Sequence, residues 1–454
     1  MKIAIVVQRY GADISGGAEL HARYIAERLA SRFDVLVLTT CARDHLSWRN
    51  EFPPGREDVH GVPVERFAVA RERDLRDFGI RSRRVFNRLH TLQEELDWLK
   101  SEGPVSPALV SRLRRSGNEF DVVLLFSIRY YHAYHGARAV AHRAVLIPTA
   151  EREPALGLAI FQPIFRGVRG IIYNSLEERR AIHALAGNRD VPGVVVGVGS
   201  EIPAAVDPDR ARQAFGLTAP FVVYVGRIDA NKGCADLFDF FVRYLDATRR
   251  NLDLVLIGKA DLPIPEHPRI RHLGFVSDRD KFDVMAAAEA LVVPSPYESL
   301  SMVALEAWAL GRPVVANARC DVLVGQSARS EAGLCYDGAH GFETALERLL
   351  TDRGLAERLG SNGRAYFARH YSWPVIERKY LDFLDRLTNE SAPPTKMEPL
   401  PGWLARRRPT LRPALDVVAA LPTGAAAADS QEAETAAHAP GTGAPAQQRV
   451  EVRA

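Results

Sequence analysis

The stretch FVVYVGRIDANKG, residues 221–233, determines the predicted fold. Its first five residues are apolar, as expected of a strand buried on both faces of a parallel sheet. The loop GRIDANKG follows, and a helix is predicted from Gly233 to Tyr244. In an open parallel sheet, ligands bind beyond the carboxyl ends of the strands, where a helix N-terminus favours an anion.

Two cations in this loop suit a phosphate. Arg227 can donate to two phosphate oxygens at once, and Lys232 adds a point charge. The alternative is a solvated turn in which both basic residues are incidental. The position between a strand and a helix favours the phosphate-binding interpretation.

Similar strands recur along the chain with helical segments between them. This alternation predicts βαβ units, parallel sheets and right-handed crossovers. The strands form two series of similar size. They are predicted at Ile3–Val7, Val35–Thr39, Val122–Phe126, Val145–Pro148 and Gly170–Asn174, and then at Phe221–Val225, Leu254–Ile257, Ile270–Phe275, Leu291–Pro294 and Pro313–Ala316.

The predicted fold is therefore α/β, with two doubly wound, Rossmann-like parallel-sheet domains that face each other across a cleft. The first is predicted over 1–198, with a helical, arginine-rich insertion at about 71–117, and the second over 199–370. An amphipathic helix is expected over 371–389. Residues 390–454 are predicted to be a disordered tail, because Gly424–Gln448 has no large apolar residue to offset the entropy of ordering.

Length and composition exclude several classes of protein. The 454 residues suggest roughly two or three domains, and a net charge of +3 does not favour a nucleic-acid partner. The four cysteines are widely spaced, which indicates neither a disulfide framework nor a zinc site. No apolar run resembles a signal peptide or approaches the roughly 20 residues of a membrane span, so a cytoplasmic protein is expected.

A second motif contains two carboxylates eight positions apart. Glu298 lies in the loop after a predicted strand, and Glu306 lies in the second turn of a helix for which Ser301 is the predicted N-cap and Gly311 the stop. A separation of up to about 12 Å suits the hexose and ribose of a nucleotide-sugar. Carboxylates bind hydroxyl groups well. The alternative is a surface glutamate followed by an ordinary helix glutamate.

Together the two motifs resemble the retaining glycosyltransferases of family 4, which have the GT-B fold, over Met1 to about Leu387. The resemblance implies that Arg227 and Lys232 hold the donor diphosphate. It also implies that Glu298 contacts the transferred sugar and Glu306 the ribose. Further donor contacts are implied at Gly16, Gly17, Phe275, Val276, Leu300, Ser301, Met302 and Val303.

The chain departs from this family at Glu151. Many relatives have a histidine near the transferred sugar where this chain has Glu151. Either Glu151 takes over the sugar contact and acts in catalysis, or the contact is lost. His132 and His135 are alternative candidates, although we expect both to be surface loop residues.

The implied reaction moves a hexose from a UDP- or GDP-linked donor to a glycan or lipid-linked acceptor, with retention of configuration. Its setting would be the synthesis of cell-surface polysaccharide or glycolipid. No Asp-x-Asp element stands at a strand end near the donor loops, so neither a metal nor a cofactor beyond the donor is expected.

Other enzyme and binding classes stay open or are disfavoured. A catalytically inactive nucleotide-sugar-binding or scaffold protein remains an alternative, as does, with less support, an epimerase or phosphorylase. A dinucleotide-dependent oxidoreductase would need G-x-G-x-x-G after the first strand, and the glycines there do not fit.

The segment 66–88 interleaves arginines with apolar residues. Such segments can bind anionic lipid, which would place the protein peripherally at the inner face of the plasma membrane. The acidic residues Glu65, Glu72, Asp74 and Asp77 equally favour a solvated helical insertion. Both interpretations stand at this point.

Overall fold

The computed structural model describes residues 1–14, 16–390, 397–398 and 419. The tail predicted over 390–454 lies almost entirely outside these residues. Among the described residues, none of the helices has the length and apolar content needed to cross a bilayer.

The first half of the chain builds one sheet and its helices. These elements are β1 (Lys2–Val6), α1 (Gly17–Ala30), β2 (Asp34–Thr40), β3 (Gly55–Val59), β4 (Val62–Phe67), α2 (Leu75–Asn87), α3 (Leu92–Glu102), α4 (Pro107–Ser116), β5 (Val122–Phe126), α5 (Tyr131–Ala139), β6 (Ala144–Ile147), α6 (Gln162–Gly167), β7 (Gly170–Tyr173), α7 (Leu176–Ala186) and β8 (Gly193–Val195).

The second half builds another sheet and the last helices. These elements are α8 (Pro208–Ala214), β9 (Phe221–Val225), α9 (Cys234–Thr248), β10 (Asp253–Ile257), β11 (Ile270–His272), α10 (Asp278–Ala287), β12 (Ala290–Val293), α11 (Met302–Ala309), β13 (Val314–Asn317), α12 (Asp321–Ser330), β14 (Gly333–Tyr336), α13 (Gly338–Thr351), α14 (Arg353–His370) and α15 (Trp373–Asn389).

Both sheets have the doubly wound arrangement predicted from the sequence. The first sheet has the order β3-β4-β2-β1-β5-β6-β7-β8 and the second the order β11-β10-β9-β12-β13-β14. Every pairing is parallel except that of β3 with β4. Every residue of β5 and β10 is buried, because helices cover both faces of these central strands.

The sequence prediction missed strands at the sheet edges. The edge strand β3, GREDV, is exposed over four of its five residues and shows none of the apolar pattern of a buried strand. β8 and β14 are short edge strands that begin with glycine. The predicted strand Ile270–Phe275 ends at His272, three residues early.

The last helix returns to the first sheet. The Tyr380 hydroxyl lies 2.9 Å from Nε2 of His21 in α1, and Phe383 and Leu387 pack against Gly170 at the start of β7. α15 begins at Trp373, two residues later than predicted, after Ser372. This packing ties the end of the described chain to the first domain.

The carboxyl edges of the two sheets face each other. Oppositely charged side chains bridge the domains beside the cleft: Arg152 pairs with Asp321 at 2.6 Å, and Glu177 pairs with Arg329 at 2.6 Å. The two facing domains of the GT-B arrangement are therefore present as predicted.

Candidate functional site

The loop between β9 and α9 is held in shape by Asp229. One carboxylate oxygen accepts the backbone N–H of Lys232 at 2.8 Å, and the other accepts Nε of Arg227. Gly233 closes the loop at φ +74°, where a Cβ would lie 2.3 Å from the carbonyl oxygen of Pro294. Only glycine fits this turn. The loop shape that results keeps Arg227 and Lys232, the two predicted phosphate-binding cations, beyond the end of β9.

Lys232 and Glu298 form an ion pair. Lys232 Nζ lies 2.8 Å from Glu298 Oε1, so the structure brings the two predicted motifs into contact. Burial acts to lower the pKa of Lys232, but the carboxylates of Glu298 and Glu151 outweigh it and raise the pKa. Lys232 is therefore a cation throughout the physiological pH range.

Arg227 is also contacted from the opposite domain. Its Nη1 lies 2.8 Å from Nε2 of His45, which follows β2. Burial, with the positive charges of Arg227 and Arg9, lowers the pKa of His45. His45 is therefore neutral near pH 7 and accepts a hydrogen bond from Arg227 across the cleft.

The helix α11 starts opposite this loop. Ser301 occupies its N-cap position, as predicted, although its side chain accepts no hydrogen bond from the helix. The Ser301 hydroxyl is buried and has no hydrogen-bond partner among the residues that the structure describes. The first N–H groups of a helix lack intrahelical partners, so Met302 and Val303 present donors here.

Glu306 lies buried in the second turn of α11. Its Oε1 is 3.2 Å from Lys281 Nζ and 3.3 Å from the hydroxyl of Ser200, in the link between the domains. Its Oε2 is buried without a hydrogen-bond partner in the described part of the chain. Burial raises the pKa of Glu306, against Lys281 and Ser200. An unsatisfied buried acceptor is what a ligand hydroxyl would complete.

Glu151 follows β6 and faces the Lys232–Glu298 pair. Burial raises the pKa of Glu151; Lys232 opposes this shift, and Glu153 and Glu298 add to it. Thr149, two residues earlier, has a left-handed backbone at φ +46°. Strained residues of this kind occur where the surrounding structure holds a functional loop in place.

A buried carboxylate on α7 fixes this loop. Glu178 accepts the backbone N–H of Ala150 at 2.6 Å through Oε1 and that of Asn174 at 2.5 Å through Oε2. The Asn174 side chain lies 3.5 Å from the hydroxyl of Ser299, next to Glu298. Glu178 therefore connects the Glu151 loop with the donor-side loop of the other domain.

The predicted glycine loop lies beside a buried ion pair. Arg9 and Glu19 pair at 2.6 Å, and a Cβ on Gly16 would lie 2.3 Å from Glu19 Oε2. Gly17 begins α1, and a Cβ there would meet open space. Steric crowding thus explains Gly16, whereas Gly17 leaves room for an approaching ligand.

Two expectations are corrected by the structure. His132 and His135 are not surface loop residues, because both lie in α5, where His132 is fully buried and lies 3.1 Å from the carbonyl oxygen of Phe126. Phe275 lies in a loop with 82% of its surface exposed, not in a strand, and Val276 beside it packs against the core.

Several residues at this site escaped the sequence analysis: Asp229, His45, Glu178, Asn174, Lys281 and Ser200. One of them had a local signal. Ser175 and Glu178 form the S-x-x-E pattern of a helix N-terminus, and the Ser175 hydroxyl accepts the Glu178 N–H.

The donor-side motifs fall within a segment that matches a known family. The family model of the glycosyl transferases group 1 matches residues 219–352. The match shows that this segment resembles the glycosyl transferases group 1. The family resemblance inferred from the Arg227 and Glu298 motifs is thereby confirmed.

Relatives of this group 1 segment include named glycosyltransferases. The chain is 28% identical over 226 residues to the lipopolysaccharide core biosynthesis glycosyltransferase LpsE of Rhizobium meliloti, which covers 48% of this chain and 65% of that protein. It is 30% identical over 281 residues to the D-inositol 3-phosphate glycosyltransferase of Kribbella flavida. That match covers 56% of this chain and 65% of the relative. For several other curated relatives, the chain spans about half their length.

Solved structures support the fold over a longer stretch. Anabaena Alr3699/HepE, determined in complex with UDP-glucose, superposes with a TM-score of 0.61 at 20% identity and covers 86% of this chain and all of its own. At this identity the likeness shows the shared fold. The GT-B arrangement thus extends across both sheets of this chain.

Proposed function

We propose that this protein is a retaining glycosyltransferase that moves a hexose from a UDP- or GDP-linked donor to a glycan or lipid-linked acceptor. One observation carries the proposal. Arg227, Lys232 and the start of α11 converge on one cleft edge, where Glu306 has a buried oxygen with no hydrogen-bond partner among the described residues. Two cations and helix N–H groups suit a diphosphate, and Glu306 suits the ribose hydroxyls.

Transition-state charge explains these residue types. Breaking the anomeric C–O bond leaves the sugar positive and the departing diphosphate more negative. Arg227, Lys232 and the amides at the start of α11 are donors fixed before the reaction, so they stabilise the leaving group more in the transition state than in the ground state. These charges supply the role that a metal plays in other transferases, and we propose a metal-independent reaction.

Glu298 and Glu151 would act on the transferred sugar. Glu298 is held by Lys232, which places it beside the leaving diphosphate and suits it to orient sugar hydroxyls. With its raised pKa, Glu151 gains a proton more readily than an ordinary carboxyl and can donate as well as accept a hydrogen bond. In a retaining reaction, the leaving phosphate would accept the proton of the acceptor hydroxyl delivered from the same face.

A thermal-shift panel of nucleotide-sugars, followed by transfer assays with and without EDTA, tests this proposal. A donor that binds the native state raises its apparent stability. NMR of the product anomer reports stereochemistry, and an inverted linkage would exclude the retaining mechanism. Absence of any donor turnover above background would favour the inactive binding protein, the alternative that Glu151 motivates.

We expect Glu306→Ala to weaken donor binding by about 10- to 100-fold, since it removes a charged hydrogen-bond acceptor worth roughly 1.5–3 kcal/mol. The exposed Glu289, in the loop before β12, gives a matched control as Glu289→Ala. Calorimetric titration with the donor measures both variants. Equal affinities would remove the ribose role of Glu306.

A basic and apolar face on α2 suits a lipid-linked acceptor. On α2, Ile80 is 51% exposed, and the exposed Arg76 and Arg83 share its helix face, four positions before it and three after it. Leu75, at the start of the helix, and Leu89, just after its end, are 38% and 67% exposed. We propose that this face meets anionic lipid at the inner face of the plasma membrane.

Co-sedimentation with phosphatidylglycerol vesicles tests this contact. Since the contact joins apolar burial to charge attraction, Ile80→Glu is expected to reduce the bound fraction at least several-fold. Vesicles of phosphatidylcholine alone should bind weakly. Equal binding of the parent and the variant would show that α2 is a solvated surface.

A further inference from the structure

A small pocket lies in the first domain beside the proposed donor site. It opens at the carboxyl ends of β5 and β6. Glu151 belongs to its wall and is also within electrostatic reach of Lys232 and Glu298. A molecule at the mouth of this pocket would therefore lie close to Glu151 and to the Lys232–Glu298 pair. The residues that line the pocket include Ile128, Arg129, Thr149, Glu151, Glu153 and Leu156.

The pocket's guanidinium group is already paired with two carboxylates. Arg129 Nε lies 2.8 Å from Glu102 Oε1, and Arg129 Nη1 lies 2.7 and 2.8 Å from the two oxygens of Glu153. Glu102, only 3% exposed, also pairs with Arg73 at 3.0 Å. With Glu151 this cluster carries two cations and three carboxyl groups, so it offers no excess positive charge.

Arginines on the neighbouring loops of this domain are also already paired with carboxylates. Arg9 is paired with Glu19 at 2.6 Å, and Arg43 is paired with Asp13 at 2.5 Å. Both arginines lie close to the cleft, on the loops after β1 and β2. The Arg9–Glu19 pair is buried, whereas both side chains of the Arg43–Asp13 pair are exposed. A phosphate group that binds Arg9 would have to separate the buried pair, which leaves Glu19 without a compensating charge.

We propose that the acceptor of this enzyme is an uncharged sugar or glycoside and not a sugar phosphate. The inference rests on the proposed function and specifies the substrate class of the same site. Carboxyl groups such as Glu151 and Glu153 recognise hydroxyls by accepting their hydrogen bonds. The half-buried side chain of Leu156 provides an apolar surface for the C–H face of a sugar or for an apolar aglycone.

This assignment differs from what a relative's name would suggest. The Kribbella flavida relative is named for an inositol 3-phosphate, whereas the charge balance of this pocket disfavours an added phosphate. In this chain the pairing of Arg129 with Glu153 is what would favour a neutral acceptor over a phosphorylated one. Removal of Glu153 is therefore expected to alter acceptor choice more than it alters donor use.

The test uses the full chain with the donor that stabilises it most. Initial rates are compared for an alkyl hexoside and for the corresponding hexose phosphate. The wild type is expected to prefer the neutral acceptor by at least about tenfold in kcat/KM, because the phosphate must displace the half-buried carboxylate of Glu153 from Arg129. A wild-type preference for the phosphate would overturn the inference.

A variant series isolates the pairing. Glu153→Gln removes one of the two carboxylates that pair with Arg129 and should raise the ratio of phosphate to neutral acceptor kcat/KM about tenfold, with the donor KM unchanged. Glu119→Gln is the control, because Glu119 pairs with Arg112 at the surface of the same domain. An unchanged ratio in a folded Glu153→Gln variant would also overturn the inference.

The wild type alone gives a second measurement. If Glu153→Gln does not fold, competition between the two acceptors in one wild-type reaction decides the outcome by the ratio of their products. Transfer to neither acceptor, together with an unreacted donor, would overturn the proposed function itself. Transfer mainly to the phosphate would leave the proposed function intact and refute only the acceptor class.

Discussion

Lys232→Ala is expected to lower turnover by about 100- to 1,000-fold, as loss of one fixed transition-state donor does in other enzymes. Lys232 is the cation closest to Glu298, at 2.8 Å, and its pKa is raised, so its charge is present at every working pH. Single-turnover rates at saturating donor measure the chemical step directly.

The control for this variant is Lys259→Ala. Lys259 follows β10 in the same domain, and its side chain is 72% exposed and pairs with Asp261. Because exposed pairs contribute little, the control should keep its rate. Melting temperatures of both variants separate a catalytic loss from unfolding. Equal turnover of Lys232→Ala and the parent protein would refute the assignment of Lys232 to the leaving diphosphate.

Glu178→Gln is expected to change how stability depends on pH. Burial raises the pKa of Glu178 to about 8, against the backbone N–H groups of Asn174 and Ala150, which lower it. Between the ordinary value of 4.5 and about 8, the folded state thus binds a proton that the unfolded state lacks. The contribution of Glu178 to the free energy of unfolding is fully present below pH 4.5 and is lost as pH rises through about 8.

The free energy of unfolding of the parent is expected to fall as pH rises. Its slope should exceed that of Glu178→Gln by up to about 1.4 kcal/mol per pH unit. Chemical unfolding at a series of pH values from 5 to 9 measures it. Arg180→Gln, an exposed change on the same helix, should keep the slope of the parent. Parallel curves for the parent and Glu178→Gln would contradict the assigned pKa.

Glu178→Gln should also lower activity, because it loosens the loop that positions Glu151. Glutamine has one acceptor oxygen where Glu178 offers two, so one of the N–H groups of Ala150 and Asn174 loses its partner. The Glu151 loop, with its left-handed Thr149, is then less firmly held. We expect a lower kcat with little change in donor KM, since Glu178 contacts the loop and not the diphosphate site.

The sequence by itself determined the central strands and the donor loop. β5 and β9 were predicted with their observed bounds, because each is a continuous apolar run. Asp121 and Ser127 flank β5, and Pro220 and Gly226 flank β9. The motif around Arg227 and Lys232 was legible because strand, loop and helix are adjacent in the chain. Local periodicity and local turn chemistry carry this kind of information.

Only the tertiary structure decided which side chains meet. Lys232 and Glu298 are 66 positions apart, Arg227 and His45 are 182 apart, and neither contact leaves a local pattern. The edge strand β3 lacks the apolar signal of a buried strand, and His132 is buried by neighbours that its own segment does not specify. Pairing of charges and burial of polar groups depend on how distant segments pack, and that packing sets the chemistry of the cleft.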